Sequence, residues 1–299
     1  MENFQHPRVT ADTDPELVDY MFDLHGYMIL DQAIAKQDLD EMNQWVDDHW
    51  SYVKNPKSKT KRADEDPWIG HVETHSYSED DGVNFQNIVE GGPVFERLID
   101  YPAWLPLVRR YVNEVNGLSI HENLLNVRRP GGFLWIHSGG HAPLFYFTFR
   151  QANTGEWMVG QINILMALGD IGPGDGATSI VPGSHRATLA HPRLVREGQG
   201  IIAAVDEREA AGTAYGIREV YLKAGDALFF ADCVTHGSAE RTNPGYRRAV
   251  IYRYSPRTLR TRFNYQLSPE LEQRLTPQRL EILQPIEPRS PDRIKPFIR

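Results

Sequence analysis

Apolar positions near the start of the chain recur every three to four residues. Leu17, Tyr20, Met21 and Leu24 follow Asp14-Pro15-Glu16, a capping side chain ahead of a proline at the first helical position, and this pattern predicts a helix. A short apolar run over 26–30 reads as a strand. Helical period resumes over 34–50, with Asp38, Asp40 and Glu41 on its polar side. Between 54 and 92 the pattern lapses: KNPKSKTKR is basic, ADEDP and SEDDG are acidic, and long apolar runs are absent. This stretch reads as a solvated surface loop, long enough to serve as a lid over an active site. A further helix is expected over 93–116, with Pro102 and Pro106 limiting its regular part.

From Leu118 the texture becomes that of strands. Short apolar segments over 123–127, 133–137, 161–168, 179–181, 218–222, 227–230 and 249–254 are separated by Gly, Pro, Asp and Asn. Many short strands with such turns predict a mainly β fold with flanking helices, a jelly-roll or cupin-like double-stranded β-helix. GDIGPGDG at 169–176 is turn chemistry throughout. Residues 267–299 are polar and proline-bearing, with one helical stretch over 270–283. With no repeat or linker, the economical reading is one domain over 1–299. It comprises a helical N-terminal part (13–116), a β core (about 118–256) and a C-terminal extension (257–299).

Composition narrows the class of partner. The 299 residues carry a formal net charge of −8, so the whole-molecule field repels nucleic acid, although a local basic pocket for a small anion is compatible with it. The polar start MENFQHPRVTADTD has no apolar signal core, and no run of 18 apolar residues exists, so neither secretion nor a membrane span is expected. The single cysteine, Cys233, excludes an internal disulfide and fits a reducing, cytoplasmic setting.

The chemistry concentrates in three places. Residues 160–185 read GQINILMALGDIGPGDGATSIVPGSH; His137 lies in WIHSGGH; and His236-Gly237-Ser238 is followed by Arg247 eleven residues after the histidine. In this order the motifs resemble the phytanoyl-CoA dioxygenase family of Fe(II)/2-oxoglutarate-dependent oxygenases, over roughly residues 20–256. The resemblance implies Fe(II), 2-oxoglutarate and O2 as cofactors, with His137 and His236 as metal ligands. It also implies a cosubstrate clamp of Arg247, Ser238 and Asn126, in which the guanidinium meets the distal carboxylate in a planar, bidentate contact. Arg248 is adjacent, and strand alternation lets only one of the two arginines face inward; the family spacing favours Arg247. His185, the histidine of the PGSH motif, is not a ligand in this family and takes a structural or rim role.

Where the family places an aspartate two residues after the first ligand, this chain has Gly139. Iron/2-oxoglutarate halogenases carry that same replacement, which opens a position for chloride. The expected reaction is functionalisation of an unactivated C–H bond of a small metabolite by a ferryl radical mechanism, with chlorination ahead of hydroxylation. Two alternatives stand beside it. A hydroxylase could take its carboxylate from elsewhere: Glu122 on a different strand is open, Asp232 lies roughly 13 Å from His236 in an extended segment and reaches the metal only if the chain turns, and Asp170 and Asp175 look like turn formers. The scaffold could also serve as a non-catalytic binding protein. His141 completes the candidate set, as a third nitrogen ligand or a substrate contact.

The substrate is less legible. Arg128, Arg129, His141 and Arg150 flank the first ligand strand and raise an anionic small molecule as a hypothesis, and Trp135, Phe145, Tyr146, Phe147 and Trp157 read either as a stacking wall or as core. Oligomeric state is not readable.

Overall fold

A computed structural model describes residues 4–54, 68–76, 82–112, 117–138, 149, 154–194, 196–197, 200–201, 210–257, 259 and 267–283. The strands are β1 (Arg8–Val9), β2 (Tyr27–Leu30), β3 (Trp68–Ile69), β4 (Val72–His75), β5 (Val83–Gln86), β6 (Leu118–Arg128), β7 (Leu134–His137), β8 (Ile162–Ala167), β9 (Thr178–Ile180), β10 (Arg196–Glu197), β11 (Gly200–Ile201), β12 (Arg218–Val220), β13 (Ala227–Ala231), β14 (His236–Ser238) and β15 (Arg247–Pro256). One sheet runs β1-β2-β13-β8-β15-β6-β5-β4-β3; a second runs β12-β9-β14-β7. This is the expected sheet-rich architecture of jelly-roll type.

Two helices pack the outer face of the large sheet as their sequence predicts. Helix α1 (Pro15–His25) starts where Asp14 accepts the backbone N–H groups of Glu16 and Leu17, and ends at Gly26, whose φ of 76° only glycine adopts without strain. Its Phe22 is fully buried against Tyr111 and Phe229. Helix α2 (Lys36–Asp48) buries Met42 and Val46, and the Trp45 ring meets Phe85 and Phe95 edge-on. The same face of β15 sends the Tyr252 hydroxyl to the carbonyl of Phe95 (2.7 Å) and the Tyr254 hydroxyl to Leu98 (3.0 Å).

Three differences from the sequence reading follow from packing. The 54–92 stretch is not a loop alone: β3, β4 and β5 extend the large sheet by three antiparallel strands, with Asn84 opposite Asn126 on β6. Their strand signal was hidden because each is short, and β4 and β5 are polar on their inner side. The 93–116 helix is broken into α3 (Pro93–Arg97) and α4 (Leu105–Val112), because a proline cannot continue the hydrogen-bond ladder through 102–106. Trp157 belongs to the core, packed on Phe22, Tyr111 and Phe149, so it is no part of a stacking wall.

Candidate active site

The inner face of the large sheet is set by register. Residues 247, 249, 251 and 253 of β15 point inward and their neighbours outward, because successive strand side chains alternate. Arg247 is buried, donates to the carbonyl of Gly176, and lies 3.4 Å from the Asn126 amide oxygen. Asn126 is fixed in turn, donating to Asn84 at 2.9 Å. Arg248 leaves by the opposite face, pairs with Asp47 at 2.5 Å and Asn43 at 3.0 Å, and lies over the Trp50 ring.

The small sheet brings His137 and His236 together. They are direct partners on β7 and β14, and their ring centroids are 4.1 Å apart. Each Nδ1 lies against the carbonyl two residues upstream, His137 on Trp135 (2.9 Å) and His236 on Val234 (2.7 Å). A carbonyl only accepts, so each Nδ1 acts as the donor, which leaves Nε2 as the ring atom that could ligate a metal. His236 is buried and His137 half-buried. Gly237 makes the pairing possible: a Cβ there would stand 2.7 Å from the carbonyl oxygen of Leu134. Ser238 shares the face of His236 and pairs with Thr178, two residues beyond the Gly176 carbonyl that holds Arg247.

The remaining sequence candidates separate. Gly139 and His141, with Phe145, Tyr146, Phe147 and Arg150, lie outside the described residues. Among the described residues no group of three His, Cys, Asp or Glu side chains could hold a metal, so neither Glu122 nor Asp232 joins the histidine pair. Asp232 bends away through a turn and accepts from Gln161 (2.8 Å) and Asn163 (3.0 Å). Glu122 pairs with Arg253 at 2.7 Å. Asp175 closes a local turn by accepting from Gly172 N (2.9 Å), whereas Asp170, expected as a turn former, accepts from Ala224 N (2.9 Å) across the fold. His185 packs against Phe149 and bonds the Asp23 carbonyl at 3.0 Å; burial pushes its pKa down to about 4. Burial, with Asp232 beside it, pushes the Cys233 thiol up, so Cys233 is an inert core residue. Sequence reasoning missed Asn84, Gln86, Gln161, Asn163 and Arg253, polar residues on the inner face of the large sheet. A signal was available for Asn163 and Arg253, single polar residues at inward positions within apolar stretches of β8 and β15.

The donor set would suit a divalent iron: two imidazole nitrogens and no thiolate, with the buried guanidinium of Arg247, opposite the buried Arg128 on β6, for an anion. Fold and donors together define a non-haem iron oxygenase scaffold. The chain matches the profile described as Phytanoyl-CoA dioxygenase (PhyH) over residues 22–249 and belongs to that family of Fe(II)/2-oxoglutarate-dependent oxygenases. It is 22% identical over 239 residues to a probable phytanoyl-CoA dioxygenase of Caenorhabditis elegans, covering 78% of this chain and 73% of that one. A shorter match, 29% identical over 107 residues, reaches Dioxygenase cdmD of Talaromyces verruculosus, covering 36% of this chain and 29% of the other. Among solved structures, HygX of Streptomyces hygroscopicus with nickel, 2-oxoglutarate and hygromycin B bound superposes with a TM-score of 0.61 at 19% identity, covering 83% of this chain and 89% of that one. SnoN, a non-heme alpha-ketoglutarate-dependent epimerase from nogalamycin biosynthesis, gives 0.54 at 16% identity over 82% and 83% of the two chains. No helix among the described residues is long and apolar enough to cross a membrane.

Proposed function

We propose that this protein oxidises a C–H bond of a small molecule with Fe(II), 2-oxoglutarate and O2, and that chloride is delivered to the carbon. The observation that carries the reading is the facing pair His137 and His236, with ring centroids 4.1 Å apart, on the same scaffold as the buried Arg247. His137 and His236 would hold the metal through Nε2. The Arg247 guanidinium would bind the distal carboxylate of 2-oxoglutarate, with Asn126 orienting it and the Ser238 hydroxyl adding a donor. Gly139 contributes by what it lacks: a carboxylate there would fill the volume and cancel the charge preference for a halide.

When bound, the iron centre supplies the oxidative decarboxylation of 2-oxoglutarate to succinate and the one-electron oxidant for the substrate. The overall balance is R–H + 2-oxoglutarate + O2 + Cl− + H+ giving R–Cl + succinate + CO2 + H2O. The role of this chain is positional. The buried Arg247 fixes one end of the cosubstrate, and the Phe230 ring, 4.8 Å from that of His236, backs the second histidine. HygX binds 2-oxoglutarate together with a small-molecule ligand on the same fold, which supports a substrate beside the cosubstrate in this chain.

Product mass in chloride-containing against chloride-free buffer tests the chlorination. A product heavier by chlorine for hydrogen, lost in Gly139→Asp, is expected. A hydroxylated product at equal rate in both buffers would sink the halide and leave hydroxylation.

A further inference from the structure

The inner face of the large sheet holds a second polar zone that the reading above leaves unused. Phe230, Asn163, Arg253 and Glu122 are direct partners across four neighbouring strands, and Phe230 is the residue whose ring touches His236. Strands lie roughly 4.8 Å apart, so Arg253 stands two strand spacings, roughly 10 Å, from Phe230. Leu124, Ile251 and Leu165, with Gln86 at the β5 end of the same rung, separate this row from Asn126 and Arg247, so the two arginines stand at different positions along the inner face.

Arg253 sits on a central strand, with β6 and β8 on its two sides and helices behind. Its side chain nevertheless keeps 14% of its surface exposed, and Ile251 beside it is half-buried. The guanidinium pairs with Glu122 through Nη1 at 2.7 Å, and its Nε has no hydrogen-bond acceptor. Two buried amides join it. The Oε1 of Gln161 and both amide atoms of Gln86 also lack partners, with Gln161 on the rung beyond Asn163 and Gln86 on the rung before Glu122. Buried polar groups are nearly always satisfied, so unmet polar atoms on one inner sheet face, Arg253 Nε and Gln161 Oε1 nearest each other, indicate a ligand.

We propose that Arg253 anchors the carboxylate of the substrate, and that Gln161 accepts from a neighbouring ammonium or hydroxyl of the same molecule. The substrate class is therefore an amino or hydroxy acid, whose reacting carbon would lie on the Phe230 side of the carboxylate. Glu122 holds Arg253 in place and leaves the guanidinium edge to the ligand. This rests on the function proposed above, since it presumes that 2-oxoglutarate takes the Arg247 end.

The test titrates C2–C8 amino and hydroxy acids, each against its own amide, into the protein saturated with 2-oxoglutarate, read by calorimetry. Acids are expected to bind at least tenfold more tightly than their amides, with the preference lost in the paired variant Glu122→Gln/Arg253→Gln. That pair removes both charges together, so no uncompensated ion is left buried. Arg253→Lys serves as a check, keeping the charge without the planar fork. Equal affinity for acids and amides, no binding by any acid, or an unchanged preference in the paired variant would overturn the proposal. 2-Oxoglutarate binding is measured first: its failure in the unaltered protein would count against the proposed function instead.

Discussion

At the scale of single residues, the two neighbouring arginines of β15 offer a direct contrast. Arg247 is buried on the inner face with Asn126, while Arg248 is held outside by Asp47 and Asn43. Arg247→Ala should raise the KM for 2-oxoglutarate by two or more orders of magnitude, because a buried carboxylate deprived of its cation costs about 3–5 kcal/mol. Arg248→Ala should leave that KM unchanged and lower stability slightly, by about 1 kcal/mol or less for a partly exposed ion pair. Steady-state kinetics of both variants decides; the opposite pattern would mean that the outer arginine, not the inner one, serves the cosubstrate.

At the scale of elements, the small sheet depends on close backbone approach between β7 and β14. Gly237 has no side chain because the carbonyls of Leu134 and Trp135 occupy that place, 2.7 and 2.9 Å from an added Cβ. Gly237→Ala must push β14 away from β7 and part His236 from His137, although neither histidine is altered. The expected result is a large loss of Fe(II) affinity, followed by equilibrium dialysis or by the metal-dependent shift in Tm, with far-UV dichroism nearly unchanged. Native iron affinity in this variant would show that the two strands need not stay paired for metal binding. A second element contact is made by His185, whose ring lies under the α1–β2 turn: a Cβ on Gly26 would stand 2.4 Å from Nδ1.

At the scale of the whole molecule, that buried ring links stability to pH. Burial lowers the His185 pKa from 6.5 to about 4, and His6 and His25 are lowered by burial as well. Below pH 6.5 the unfolded chain takes up a proton that the folded protein refuses. Stability therefore falls as pH drops from about 6.5 toward 4, by up to about 3 kcal/mol from His185, and this contribution levels off below that. Thermal unfolding between pH 7.5 and 4.5 should show the decline. His185→Gln should start lower at pH 7.5 and show a shallower slope; an equal slope would assign the acid sensitivity to other groups.

The sequence by itself determined what depends on local pattern and on motif. The cap of α1 at Asp14, its end at Gly26, the alternating strands after Leu118 and the turn at Asp175 are short-range chemistry, legible because each residue's neighbours in sequence are its neighbours in space. The family could be read for the same reason, from motifs that keep their order. What only the tertiary structure decided depends on strands distant in sequence. Asn84 meets Asn126 from within a stretch that looked like solvated loop, because three short strands gain their hydrogen bonds only by joining β6. Glu122 and Asp232 looked like spare iron ligands, and register spends one on Arg253 and the other on Gln161 and Asn163. Pairing between strands more than a hundred residues apart set the inner face, and with it which polar side chains share the cavity with the two histidines.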